Sequence, residues 1–134
     1  TSQTMNDTAT TTINWGGEEF KTVASMHDNS TDNSRLTAPV DGYYQINACL
    51  TTVGPSVSTD YRMTIFKNGV TTGRNVLATD YGTASSARWN FCISTLARLN
   101  QNDYIEIGTL NAEGSSHFTV IENGNSFNMA LIGK

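Results

Sequence analysis

This chain of 134 residues has no long apolar run, which excludes a membrane-spanning helix. No stretch beyond one turn carries apolar residues at helical spacing, so layers of α-helix are excluded too. Cysteine occurs only twice, too rarely for a disulfide scaffold or a zinc site, and each reads as a small, partly buried strand residue. Charged residues make up 15%, with a net charge of −4 that disfavours nucleic acid and anionic membranes as partners. The two histidines, His27 and His117, are far apart, and no nucleophile elbow accompanies them. Neither a catalytic triad nor a paired-carboxylate site can be assembled, so the chain is not expected to be an enzyme, and no cofactor or metal is assigned. It opens at Thr1 without a signal-like segment, and the expectation is a piece excised from a longer polypeptide.

What is abundant is Thr, Ser, Asn and Gly, a composition that favours strands joined by many corners. Evenly spaced apolar alternation argues against disorder. The most telling stretch is Asn33 to Leu50. Asp41-Gly42 turns a corner, and then Tyr44, Ile46, Ala48 and Leu50 alternate with Tyr43, Gln45, Asn47 and Cys49. Two faces with usable side chains imply a core behind the strand and a partner in front of it.

Residues 1–8 are polar and read as a linker or the end of a stalk, and residues 9–134 read as one domain. Strands are expected at Ala9 to Trp15, Glu18 to Ser25, Leu36 to Ala38, Tyr43 to Thr52 and Asp60 to Lys67. Further strands are expected at Val70 to Thr79, Ser86 to Leu99, Tyr104 to Leu110, His117 to Ile121 and Phe127 to Ile132. Asn68-Gly69 predicts a two-residue type I′ hairpin turn. The fold class is all-β, an antiparallel two-sheet jelly-roll sandwich. His27-Asp28 reads as turn capping, and the Asn6 and Asn29 acceptor triplets as chance in a chain rich in Thr and Asn.

Several marks in their order resemble the trimeric heads of complement C1q and its tumour-necrosis-factor relatives, nearest in pattern to the C1q-like domains of bacterial and phage fibre proteins. They are Leu36-Thr37-Ala38-Pro39 with Gly42-x-Tyr44, Phe66-Lys67-Asn68-Gly69, Leu99 through Asp103-Tyr104-Ile105, and the closing Phe127 to Ile132. The resemblance covers nearly the whole chain from Ile13. Asn102 stands where the family usually has Gly, and Ala130 where a bulky residue is common.

The resemblance implies a homotrimer whose inner sheet carries Ile13, Tyr44, Ile93 and Met129. Its outward face would line a three-fold axis with Tyr43, Gln45, Asn47, Cys49, Asn90, Cys92, Ser94, Leu96 and Arg98. Cys49 and Cys92 then share that face; free thiols are expected, with a cross-strand disulfide as the alternative. The tight turns at Val40-Asp41-Gly42, Asn68-Gly69 and Asn100-Gln101-Asn102 would gather at the end of the chain termini. Long connections at Thr52 to Thr59, Asp80 to Ser86 and Asn111 to Ser126 would gather at the other end. Long loops at one end are disposed to binding. The candidate ligand residues are Asp80, Tyr81, Glu113, His117 and Asn123, for a cell-surface glycan or protein receptor. The expected function is a receptor-binding or adhesion head, a fibre tip, located extracellularly or on a virion surface. The alternative is a purely structural trimerisation knob. Neither nucleic acid binding nor membrane insertion is expected.

Overall fold

The computed structural model describes residues 3–4, 9–16, 26–28, 30–53, 59–84, 88–111, 119–120 and 124–134. The expected strand over 18–25 lies outside them. Among the described residues ten strands occur: β1 (Gln3–Thr4), β2 (Thr11–Thr12), β3 (Arg35–Thr37), β4 (Gly42–Val53), β5 (Thr59–Lys67), β6 (Val76–Ala84), β7 (Arg88–Leu99), β8 (Tyr104–Asn111), β9 (Thr119–Val120) and β10 (Ser126–Gly133). Gln3 and Thr4, in the polar lead-in, pair with Val120 and Thr119 of β9. Among the described residues no helix is long and apolar enough to cross a membrane.

All strand pairings are antiparallel, in two five-stranded sheets. In the first, β4 is central, with β7 along one side and β10 and β9 end to end along the other. In the second, β8 takes β5 on one side and β3 and β2 end to end on the other, while β6 forms the outer edge beyond β5. The alternation of β4 is what closes the sandwich. Tyr44, Ile46, Ala48 and Leu50 are fully buried against Met63, Ile65, Ile105 and Ile107 of the opposite sheet. Tyr44 also donates its hydroxyl to the Val40 carbonyl at 2.7 Å, so the ring is buried with its polar atom satisfied.

Two expectations are corrected here. Ile13 belongs to the second sheet, because its N–H donates to the Ile107 carbonyl of β8 at 2.9 Å. The strand expected from Val70 to Thr79 runs instead from Val76 to Ala84. Gly73 at φ 64° starts a short 3-10 turn, Gly73–Asn75, and pairing with β5 begins only after it, at Val76.

The three tight turns are tied to one another at one end of the sandwich. Asn68 (φ 55°) and Gly69 (φ 72°) both take the left-handed conformation of a type I′ turn. Asn102 does so at φ 69°, consistent with the tolerance of asparagine for that region. Asp103 is the hub. It accepts from the Asn68 amide at 2.8 Å, the Asn100 N–H at 2.9 Å and the Lys67 ammonium at 3.3 Å. Asn102 and Gln101 in turn bond to Ala38 and Asp41 of the β3–β4 turn.

Burial pushes the Asp103 carboxyl up, but the bonds from Asn68, Asn100 and Lys67 outweigh it and hold the pKa below the ordinary aspartate value. A depressed native pKa means this contribution is present above the unfolded pKa of about 4 and is lost as pH falls through the native value. Asp103→Ala is expected to cost roughly 1–3 kcal/mol, because partly buried donors lose their acceptor. Urea unfolding at pH 7 and pH 3 checks it: the gap between wild type and variant should narrow at the lower pH.

Candidate functional site

The outer face of the first sheet is left open by the fold. Along β4, Tyr43, Gln45, Asn47 and Cys49 point outward, and along β7 so do Arg88, Asn90, Cys92, Ser94, Leu96 and Arg98. The expected parity is observed on both strands: Phe91, Ile93, Ala97 and Leu99 face the core. Because cross-strand partners share a face, the side chains form rows. Leu96 lies opposite Gln45, and Gln45 opposite Ala130. Ala130 thus lies on the open face, so its small side chain leaves the core unaffected. Tyr43, Leu96 and Ile132 remain 46%, 56% and 59% exposed, an apolar patch toward the tight-turn end.

Mid-sheet the face is amide-rich. The Asn47 side-chain amide donates to the Asn128 side-chain oxygen Oδ1 at 2.9 Å and the Gln45 side-chain amide to Asn47 Oδ1 at 3.3 Å. Toward the other end Thr51 bonds to Asn90 at 2.8 Å and to the Asn125 side chain through its N–H at 2.6 Å. No strand of this sheet contains Asp or Glu; its charges are Arg88 and Arg98.

The expectation of free thiols is overturned. Cys49 and Cys92 form a disulfide between directly opposed residues of β4 and β7, with Cα atoms 4.1 Å apart. That spacing is the close approach of a non-hydrogen-bonded antiparallel pair, where opposed side chains are nearest. The bond crosses the two longest strands on their open face.

A second feature lies at the margin of the other sheet. Asp60, Tyr61, Tyr81 and Gly82 line a shallow depression of about 270 Å³. Tyr61 packs on Phe91 of β7 with ring centroids 3.8 Å apart. A Cβ on Gly82 would overlap the Tyr61 hydroxyl, so glycine is what lets that ring lie across β6. Burial, and then the negative charge of Asp80, push the Tyr61 phenol up, keeping it neutral.

Asp80 and Tyr81 were expected in a long distal loop. They instead sit inside β6, opposite Met63 and Arg62, and only residues 85–87 separate β6 from β7. Glu113, His117 and Asn123 lie outside the described residues, as do Asn6 and Asn29. The other pair with catalytic-looking chemistry is engaged structurally. His27 is buried, its Nδ1–H donating to the Arg35 carbonyl at 3.0 Å. Hydrogen bonds from the Thr31 and Ser30 hydroxyls, then from their N–H groups, hold the Asp28 carboxyl far below the usual range, as in a capped turn.

Two antiparallel sheets in this order, closed by bonded turns at one end and open on one sheet face, form a jelly roll with a TNF-like fold. Among solved structures the chain is similar to the Eiger TNF of S. frugiperda, with a TM-score of 0.54 over 98% of this chain and 92% of that one, at 9% identity. No family model and no curated protein sequence matches it.

Proposed function

We propose that the chain is a trimeric head domain that binds a cell-surface glycan or protein through the end opposite its tight turns. The observation that carries this reading is the open face of the first sheet. It is a β surface with apolar residues at one end, amides in the middle and, among its described strand residues, no carboxylate to keep it solvated. Such a surface is suited to self-association, and three copies around an axis leave one end of each sandwich available to a target, with avidity from repetition. The contacts to the target come from Glu113, His117 and Asn123. The module binds rather than catalyses, since the Asp28 and His27 groups are committed to turn structure. An extracellular or virion-surface location agrees with the Cys49–Cys92 bond, because disulfides persist in oxidising compartments.

Asp80 and Tyr81 lie in β6 and not in a distal loop, which leaves three of the five candidate contacts in the long connections; the second reading is a trimerisation knob without a ligand. Glycan-array and cell-binding assays on the purified trimer separate the two. A head domain binds a defined subset of targets and loses them on His117→Ala or Glu113→Ala while remaining trimeric. A knob binds none.

A further inference from the structure

The turn that follows β5 joins two residues able to react with each other. In an open chain the Gly69 nitrogen, with no side chain beside it, attacks the Asn68 side-chain carbonyl carbon. The Gly69 N–H proton passes to solvent, the Cγ–Nδ2 bond breaks, and the nitrogen takes up a proton and leaves as ammonia. A five-membered succinimide ring remains. Water then opens that ring at either carbonyl and leaves aspartate or isoaspartate at position 68. No electrons are transferred, and water is the only co-reactant.

The fold keeps this pair apart in two independent ways. Asn68 at φ 55° and Gly69 at φ 72° form the type I′ turn. The first central residue of such a turn has ψ of about 30°. The Asn68 Cβ and the Gly69 nitrogen therefore stand on opposite sides of the Cα–C bond, whereas ring closure needs them on the same side. The side-chain amide is also pinned at both ends. Its Oδ1 accepts from the Tyr104 N–H at 2.9 Å and its Nδ2 donates to Asp103 at 2.8 Å. The Asn68 N–H donates to the Tyr104 carbonyl at 2.9 Å as well. Both turn residues are exposed, so water has access and only the reactive conformation is withheld.

The products do not fit the same turn. Aspartate at position 68 has no proton to give Asp103, and two carboxylates then face each other where a hydrogen bond stood. Isoaspartate adds a methylene to the main chain, so a two-residue turn no longer holds the Lys67–Val70 bridge in register.

We propose that Asn68–Gly69 is a latent modification site, locked by Asp103 and Tyr104 while the tight-turn end is closed and converted one way when that end opens. A chain modified there cannot rebuild the bonds around Asp103, so the change records the opening. The lock lies within one copy and is independent of assembly.

Peptide mapping by mass spectrometry tests it after incubation at mildly alkaline pH, with native chain beside chain unfolded in guanidinium chloride. Conversion at Asn68 is read as a gain of about one dalton and an isoaspartyl peptide. It is expected to be roughly tenfold or more slower in the native chain, where it waits on local opening. Conversion at Asn123–Gly124 in the unfolded sample shows that the conditions support the reaction. Asp103→Ala should speed native conversion at Asn68 severalfold. Ile46→Val and Leu50→Ala, which weaken the core by graded amounts and leave the turn bonds in place, should not. Asn68→Asp, the product made directly, should unfold at lower denaturant than wild type. Adding Asp103→Asn to it restores a donor and should recover most of that loss. Equal rates at Asn68 in native and unfolded chains overturn the lock, as do core variants that speed conversion as much as Asp103→Ala. An Asn68→Asp chain as stable as wild type, or one that Asp103→Asn does not rescue, overturns the one-way step.

Discussion

If the chain assembles as proposed, Leu96→Glu is expected to convert the trimer to a folded monomer, with the mass by light scattering falling from three times 14.5 kDa to 14.5 kDa. Leu96 is 56% exposed in the isolated chain, in the row with Gln45 and Ala130 and diagonal to Tyr43. Covering a side chain of this kind contributes about 1.5–3 kcal/mol, and the proposed trimer contains three of them. Glutamate at the same position removes that gain and adds a carboxylate to a face whose described strands have none. A charge buried without a partner costs more still. The monomer has no reason to unfold, because the Leu96 side chain points away from the core. Leu96→Ser should therefore weaken the trimer less than Leu96→Glu, and both variants should keep the wild-type far-UV spectrum. A Leu96→Glu chain that sediments as a trimer would remove the open face from the interface.

The second large effect concerns the disulfide. Intact mass without reductant should fall two hydrogens below the reduced chain, and unfolding in urea should move to lower concentration when dithiothreitol is present. The bridge joins residues 43 apart in sequence, and a loop of that size closed in the unfolded chain is worth roughly 2–4 kcal/mol. The Cys49→Ser, Cys92→Ser double variant should show the same loss without reductant, because its partners sit on the open face and leave no cavity in the core. Equal midpoints for the oxidised, reduced and double-serine chains would deny the bond any stabilising role. The loss matters to assembly too. The bridged residues lie on the face that the proposed trimer covers, so fraying of β4 from β7 would disturb the rows on either side.

Much of this was legible before any coordinates. Strict alternation over Tyr43 to Leu50 assigned the buried and open sides of β4 correctly, and counting by two back from Leu99 did the same for β7. Asn68-Gly69 and Asn102 announced left-handed backbone where it occurs. What failed was the start of β6. Gly73 marks a break in the sequence, but whether a strand ends or begins at a glycine depends on which neighbour offers hydrogen bonds. Here β5 pairs from Val76 onward, so Asp80 and Tyr81 became strand residues. Ile13 failed similarly: its apolar side chain suits either sheet, and only the Ile107 carbonyl decides.

The cysteines show the division most plainly. Alternation placed both on one face of adjacent strands, a local property of a pleated chain whose side chains change sides at every residue. Whether Cys49 meets Cys92 or a residue two places away depends on the register between strands 43 residues apart. Register is set by the whole set of core contacts together with the hydrogen-bonded turn at the far end. The amino-acid order by itself therefore determined the all-β class, the two-faced strands and the tight turns, since each depends on neighbours within a few residues. The disulfide, the sheet assignment of Ile13 and the aromatic, acidic depression at the β6 edge were decided by tertiary structure, because each needs groups that only folding brings together.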